Sequence, residues 1–366
     1  MGAWKKVTAA MVTGGVVAAL IAVLLRPGAG SVDESSAVEG DTDLAAAAVA
    51  EIPAQGVYAL SVAEVTPTGT RTATVGAPME GTFEIGSVTK AVTGMLYADA
   101  VERGEVTPDT TLGEIFDFAE TDSASITLEQ LSQHRSGLPR LPTGLRTVLN
   151  SYRWLLLGQN PYRDEPADVV ADVRSAAVGE QQPAYSNLGY AVLGHALAET
   201  TGEDYPQLVR TRLAEPMGLE RFTVPAPGEG EASAEAVQGR EASGRTQQAW
   251  DDAGYAPAGG IRADAQSMAR LAEALLNGSA PGVAALDPTA DFDAEARIGA
   301  GWITSEIQGR QITWHTGQTG GFYTWFGLDR ERGTAVFISG ATSHELEEAG
   351  LALLLQAGDT ISEDTG

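Results

Sequence analysis

Strand-like runs crowd toward both ends of this 366-residue chain, while helical periodicity fills the stretch between them. Residues 56–65 are rich in Val, Tyr and Leu, and the turn-like Thr66-Pro67-Thr68-Gly69 separates them from a second run over 70–75, which predicts a hairpin. Four more short runs, 301–307, 311–314, 322–328 and 334–338, are divided by glycines and charged turns, with Asp329-Arg330-Glu331-Arg332-Gly333 as a hairpin tip. Between the two groups, Val88, Val92, Met95, Leu96 and Val101 mark a helix over 87–103 that Gly104 stops. Helical spacing then dominates 112–224, as in Leu128 with Leu131, Val169 with Val173, and 188–197. Further helices are expected over 263–276 and 345–355. This order predicts an α+β domain over 55–358: one antiparallel sheet built from both chain ends, flanked by helices, with a mostly helical subdomain inserted in the middle.

The segments outside that domain read differently. Residues 7–25 carry no charge, and at about 1.5 Å per residue a helix of this length reaches roughly 28 Å, close to the hydrocarbon thickness of a bilayer. Lys5 and Lys6 precede the run in a short n-region over 1–6, while Asp33, Glu34, Glu39, Asp41 and Asp43 follow it. A transmembrane anchor is therefore expected, with the remaining chain outside the cytoplasmic membrane; a cleaved signal segment is the alternative. Residues 26–54 read as a flexible acidic linker, 225–246 as a mobile surface insertion, and 359–366 as a disordered tail.

Composition narrows the chemistry. A formal net charge of −26 repels phosphate backbones, so nucleic-acid partners are not expected. With no cysteine, thiolate catalysis, disulfides and Cys-ligated zinc are excluded. Four scattered histidines argue against a metal centre, and no cofactor is implied. His195 reads as a packed core residue, His134 as the fixer of its own turn, and His344 as the start of the last helix. A monomer is the default, and the expected partners are a peptide or small-molecule substrate and the membrane.

Of 23 basic residues only Lys5, Lys6 and Lys90 are lysine. Arginine does not release its proton in a protein, whereas a desolvated lysine does. The one lysine beyond the apolar run stands three residues after Ser87, where the helix begins, so the two side chains share a face. Serine at its free pKa is a weak nucleophile and needs a neighbouring base; a neutral amine serves.

Three further motifs occur in order: Leu131-Ser132-Gln133-His134-Arg135-Ser136-Gly137-Leu138-Pro139, Tyr185-Ser186-Asn187, and His315-Thr316-Gly317 at the end of a strand. With Ser87-x-x-Lys90 this set resembles the serine β-lactamase-related family, which includes class C β-lactamases, D-alanyl-D-alanine carboxypeptidases, D-aminopeptidases and related esterases. The resemblance implies that Ser87 forms an acyl-enzyme and that Lys90 and Tyr185 share the proton work. It leaves open which of the two is the base in each step. It further implies a phenol pKa lowered by nearby positive charge, a hydrogen bond from Asn187 to Lys90 and to the substrate amide, and an oxyanion hole from the backbone N–H groups of Ser87 and Gln318. His315, Thr316 and Gly317 are implied to line the carboxylate or leaving-group side.

His315 departs from the lysine that class C β-lactamases usually carry. An imidazole is only partly charged near neutral pH, so a substrate carboxylate is held less strongly. That favours a D,D-carboxypeptidase-like action, then an esterase, then a β-lactamase. A catalytically silent sensor of peptidoglycan fragments or β-lactams is the alternative from another class.

Overall fold

The computed structural model describes residues 30–364. The apolar run over 7–25 lies outside them, and no helix among the described residues is long and apolar enough to cross a membrane. The strands are β1 Val38–Gly40, β2 Leu60–Thr66, β3 Gly69–Val75, β4 Phe83–Glu84, β5 Phe222–Thr223, β6 Arg262–Ala263, β7 Ala290–Asp291, β8 Ala296–Ile298, β9 Ile303–Ile307, β10 Arg310–Gln318, β11 Tyr323–Asp329 and β12 Thr334–Gly340. The longer helices are α1 Thr42–Glu51, α2 Val88–Glu102, α3 Leu145–Leu157, α4 Pro166–Ser175, α5 Asn187–Thr201, α6 Ala265–Leu276 and α7 Glu347–Asp364.

The main sheet runs β1-β3-β2-β12-β11-β10-β9-β8-β7, antiparallel throughout. Pairing of β2 with β12, from Leu60 against Gly340 to Val65 against Ala335, joins the two chain ends as the sequence predicts. Successive side chains alternate between faces. Val62, Val336, Ile338, Tyr323 and Trp325 therefore pack beneath α1 and α7. Ala63, Val65, Ala335, Phe337, Phe326 and Leu328 face the opposite core, with α2 and α6. Both faces are covered, which is why these central strands read as apolar runs.

Three expectations are corrected. The linker over 26–54 is structured from Gly30 onward, because Val32 N–H bonds Val57 O at 2.7 Å and β1 pairs with β3. Asp41 caps α1 through Leu44 N–H at 2.8 Å, and Leu44, Ala45 and Ala48 are buried; alanine-rich sequence here is a packed helix rather than a tether. The segment 225–246 is tied down rather than free. Thr82 bridges Ala236, Arg240 bridges Thr246, and the Asp251 carboxylate accepts from Gly228 and Gly230 N–H at 2.9 and 3.0 Å. Residues 359–364 of the tail expected over 359–366 continue α7, and its last two residues lie outside the described ones.

The smaller sheet, β4-β6-β5, aims the catalytic region. Glu84 pairs opposite Arg262, and their side chains form a buried ion pair at 3.2 Å whose guanidinium also donates to Thr82 O and Val237 O. Removing one partner of a buried pair costs about 3–5 kcal/mol, so this pair pins β4 firmly. One residue on, Ile85 N–H donates to Ile261 O at 3.0 Å, and α2 starts immediately after.

Candidate active site

Ser87 is the N-cap of α2, but its side chain makes no capping bond, so the hydroxyl is left for other work. Gly86 precedes it with φ +52°, and a Cβ there would meet Gln318 N at 2.7 Å. A Cβ on Gly317 would lie within 3.1 Å of Ser87 N and closer still to Ile85 O. Two glycines thus allow β10 to lie against the backbone of 85–87, with the main-chain nitrogens of Ser87 and Gln318 on either side of the contact. Donors so placed beside the hydroxyl suit an oxygen that gains negative charge, and the helix start adds its dipole.

Lys90 lies one turn into α2 with no exposed surface. Its Nζ is 2.9 Å from Ser87 Oγ and donates to Ala258 O at 2.6 Å. Burial holds the amine well below the usual lysine range, and the Arg140 guanidinium pushes it further the same way. A neutral amine at this distance is positioned to take the hydroxyl proton.

Tyr185 completes the group, its ring 4.9 Å beneath Lys90 Nζ and 5.3 Å from the Arg140 guanidinium carbon. By surface area the residue is only half-buried, yet the hydroxyl end is enclosed, and burial pushes the phenol upward. The Ser87 hydrogen bond and Arg140 oppose that rise without reversing it. The lowered phenol expected from sequence is therefore corrected: lost hydration outweighs one partly exposed cation, and Tyr185 stays protonated.

Asn187 opens α5, and its Nδ2 donates to Tyr162 OH at 3.1 Å, not to Lys90. Its Oδ1 is buried without a hydrogen-bond partner among the described residues and remains available to a ligand amide. His315 is also corrected. Strand alternation turns Thr316 and Gln318 to the cleft and sends His315 and Gly317 behind it, so His315 is 3% exposed and does not line the opening. Burial, then Lys90, drives its imidazole down to about 3 despite the Nδ1 contact with Thr316 O at 2.5 Å. It is neutral at physiological pH and holds no carboxylate.

The cleft in front of Ser87 has a volume of about 440 Å³. Its walls hold residues the motifs did not announce. Tyr162 stacks on Tyr255 at 4.5 Å and meets Trp250 edge-on at 5.1 Å, while Trp154 of α3 adds a fourth ring 6.4 Å from Trp250. Arg140 lines the cleft and forms no ion pair among the described residues. It lies one residue past Pro139, where the recognised motif ends, and nothing in its periodicity marks it. His134 behaves as expected, closing its turn at φ +56°. His195 is a core residue bonded to Gly254 O at 2.7 Å, whereas His344 precedes α7 in a turn instead of opening it.

Comparison with known proteins matches this arrangement. The Beta-lactamase family profile covers residues 38–358. The unguisins hydrolase ungD' of Aspergillus campestris is 25% identical over 74% of this chain and 54% of its own length. The D-alanyl-D-alanine-carboxypeptidase/endopeptidase AmpH of Escherichia coli is 27% identical over 41% of this chain and 38% of its own. The chain thus spans about half, or less, of the curated relatives it matches. Among solved structures, a class C β-lactamase from Rhodobacter sphaeroides superposes with TM-score 0.71 at 17% identity, covering 89% of this chain and all of that one. The octameric penicillin-binding protein homologue of Pyrococcus abyssi gives 0.68 at 20% identity, over 82% and 74% of the two chains. From the match across nearly the whole described domain, this chain belongs to the β-lactamase family of serine hydrolases.

Proposed function

We propose that the chain hydrolyses an amide or ester through an acyl-enzyme on Ser87, acting as a D,D-carboxypeptidase-like enzyme. The observation that carries this reading is the fully buried amine of Lys90 at 2.9 Å from Ser87 Oγ, which burial and then Arg140 hold well below the usual lysine range. In the first step Ser87 Oγ bonds to the carbonyl carbon as its proton passes to Lys90 Nζ. The carbonyl oxygen becomes an oxyanion between the N–H groups of Ser87 and Gln318. Collapse breaks the bond to the leaving group, which takes the proton from Lys90, with Tyr185 OH as a further donor. Water then repeats the sequence on the acyl carbon and frees Ser87.

The carboxypeptidase assignment is supported by Arg140, a cleft cation that can receive the terminal carboxylate which neutral His315 cannot. The names of AmpH and of the Penicillin-binding protein 4 of Amycolatopsis lactamdurans agree with it. The aromatic wall of Trp154, Tyr162, Trp250 and Tyr255 favours an esterase as the second reading, because it accepts apolar groups. A turnover panel of D-Ala-D-Ala peptides, short p-nitrophenyl esters and nitrocefin separates them. The carboxypeptidase reading requires the peptide to have the highest kcat/KM, and Arg140→Gln to raise the KM of the peptide but not that of the esters, any change through Lys90 falling on kcat of both substrates alike. Faster ester turnover, with a peptide KM indifferent to Arg140, replaces it with the esterase.

A further inference from the structure

Helix α3 contains no buried residue. Leu145, Val148, Leu149, Tyr152, Leu155 and Leu156 recur at helical spacing along one side, with exposures from 49% to 73%. The opposite side faces the cleft through Arg146, Thr147, Asn150, Ser151 and Trp154. Soluble surfaces rarely leave so long an apolar stripe to water. The helix is also chemically unlike its chain: it has two arginines and no acidic residue in a protein of net charge −26. Arg146 is committed to Asp164 and Asp172 at 2.8 and 2.7 Å, whereas Arg153 forms no ion pair among the described residues.

The position of α3 relative to Gly30, five residues past the apolar run over 7–25 in the sequence, indicates what covers the stripe. The described residues begin at Gly30, whose carbonyl accepts from Gly56 N–H at 3.0 Å. The five steps from Leu25 to Gly30 span at most about 18 Å, so a bilayer holding residues 7–25 lies against the domain. A Cβ on Gly30 would be 3.5 Å from the Tyr58 ring; Tyr58 OH donates to Ala242 O at 3.3 Å. From the same hairpin, Arg245 donates to Leu155 O at 3.0 Å. Gly30 and the C-terminal end of α3 therefore flank one short hairpin.

We propose that α3 is a membrane-docking helix: its apolar stripe lies in the bilayer surface, Arg153 sits among lipid phosphates, and the mouth of the Ser87 cleft opens at headgroup level. Interfacial helices combine an apolar face with basic residues in this way. The proposal rests on residues 7–25 acting as the anchor the sequence predicts. It makes the enzyme one whose acyl substrates are met at the lipid surface.

The absence of native cysteine allows single-site labelling of the full chain. Leu149→Cys and Leu156→Cys, at 52% and 68% exposed positions, carry an environment-sensitive fluorophore in phosphatidylcholine–phosphatidylglycerol vesicles. Glu331→Cys, on the exposed turn at the end of β11 away from Tyr323, is the control. Flotation reports anchoring on the same sample, and acylation by a fluorophosphonate reports the chemistry. The proposal predicts a blue-shifted α3 label quenched several-fold more by doxyl lipid than by iodide, with the reverse at Glu331. Iodide quenching of the α3 labels in a chain that floats and acylates overturns docking alone. Shielding from both quenchers that depends on protein density overturns it in favour of a second copy. A chain that acylates but does not float overturns the anchor and the docking together.

Discussion

The imidazole of His134 lies against the phenol of Tyr185, with ring centroids 4.4 Å apart and planes inclined by 34°. The same residue grips the backbone on both sides of that tyrosine. Its carbonyl accepts from Ala184 N–H at 2.8 Å, and its Nδ1 accepts from Ser186 N–H at 3.2 Å. Burial first, then Lys90, holds the imidazole well below its usual range, so the ring is neutral with its proton on Nε2. His134 is a positioning residue for Tyr185. Replacing it with Ala is expected to lower kcat about ten-fold or more while KM stays within about three-fold. Asn tolerates the positive φ and offers an acceptor, so His134→Asn should recover part of the loss. A rise in KM with kcat unchanged would contradict this role.

Gly86 sets the spacing of the backbone nitrogens of Ser87 and Gln318, the donors proposed for the oxyanion. Ala there would strain the backbone at φ +52° and press its Cβ toward Gln318 N at 2.7 Å, forcing β10 away from Ser87. The expected result is a loss of about 10²–10³ in kcat, typical of removing one donor, with a stability cost of about 1–2 kcal/mol from the strained residue. Steady-state kinetics and thermal denaturation read the two effects separately. Unimpaired kcat in a folded variant would remove Gln318 from the site.

With Lys90 as the base, as proposed, the acid limb of kcat/KM belongs to its amine. Because burial and Arg140 depress its amine, activity is expected to persist well below the ordinary lysine range and to fall only as pH drops through the lowered value. His315, driven down to about 3, stays neutral over the working range and contributes no limb. His315→Gln should therefore leave the shape of the profile unchanged. If that substitution moves the acid limb, the titrating group has been misassigned.

Asp252 lines the cleft and is pushed up from 3.8 to about 7, mainly by burial, although its Oδ1 accepts from Tyr255 N–H at 2.6 Å. An acid whose folded pKa exceeds its unfolded value binds more protons when native. It therefore favours folding at low pH, and this advantage is lost as pH rises from about 4 to about 7, by up to about 4 kcal/mol. Asp252→Asn keeps the acceptor and removes the charge. Its Tm should exceed that of the parent at pH 8 and match it, or fall slightly below, at pH 4. Equal Tm differences at both values would show that the carboxyl is not perturbed.

Much of this arrangement was legible in the sequence because it is local. Short apolar or alternating runs divided by turn residues specified the strands that assemble from both chain ends, and the three-residue step from Ser87 to Lys90 specified a shared helical face. Whatever depends on burial was not legible. The direction in which Tyr185 titrates follows from how completely its hydroxyl is enclosed, and His315 lost its place in the cleft to strand parity. Helix α1 was obscured because an alanine-rich acidic segment has the composition of a tether, and only Leu44, Ala45 and Ala48 packing under the sheet reveals it. Arg140 and the four aromatic rings come from separate loops and helices, and share no periodicity.

The most direct test is acylation followed by intact mass. The full chain is treated with a fluorophosphonate and with benzylpenicillin, beside Ser87→Ala and Lys90→Met. A single adduct on the parent, none on Ser87→Ala, and a rate lowered by about 10²–10⁴ in Lys90→Met are the predicted results. An adduct that survives in Ser87→Ala, or a Lys90→Met protein that reacts as fast as the parent, would contradict a serine activated by the buried amine beside it.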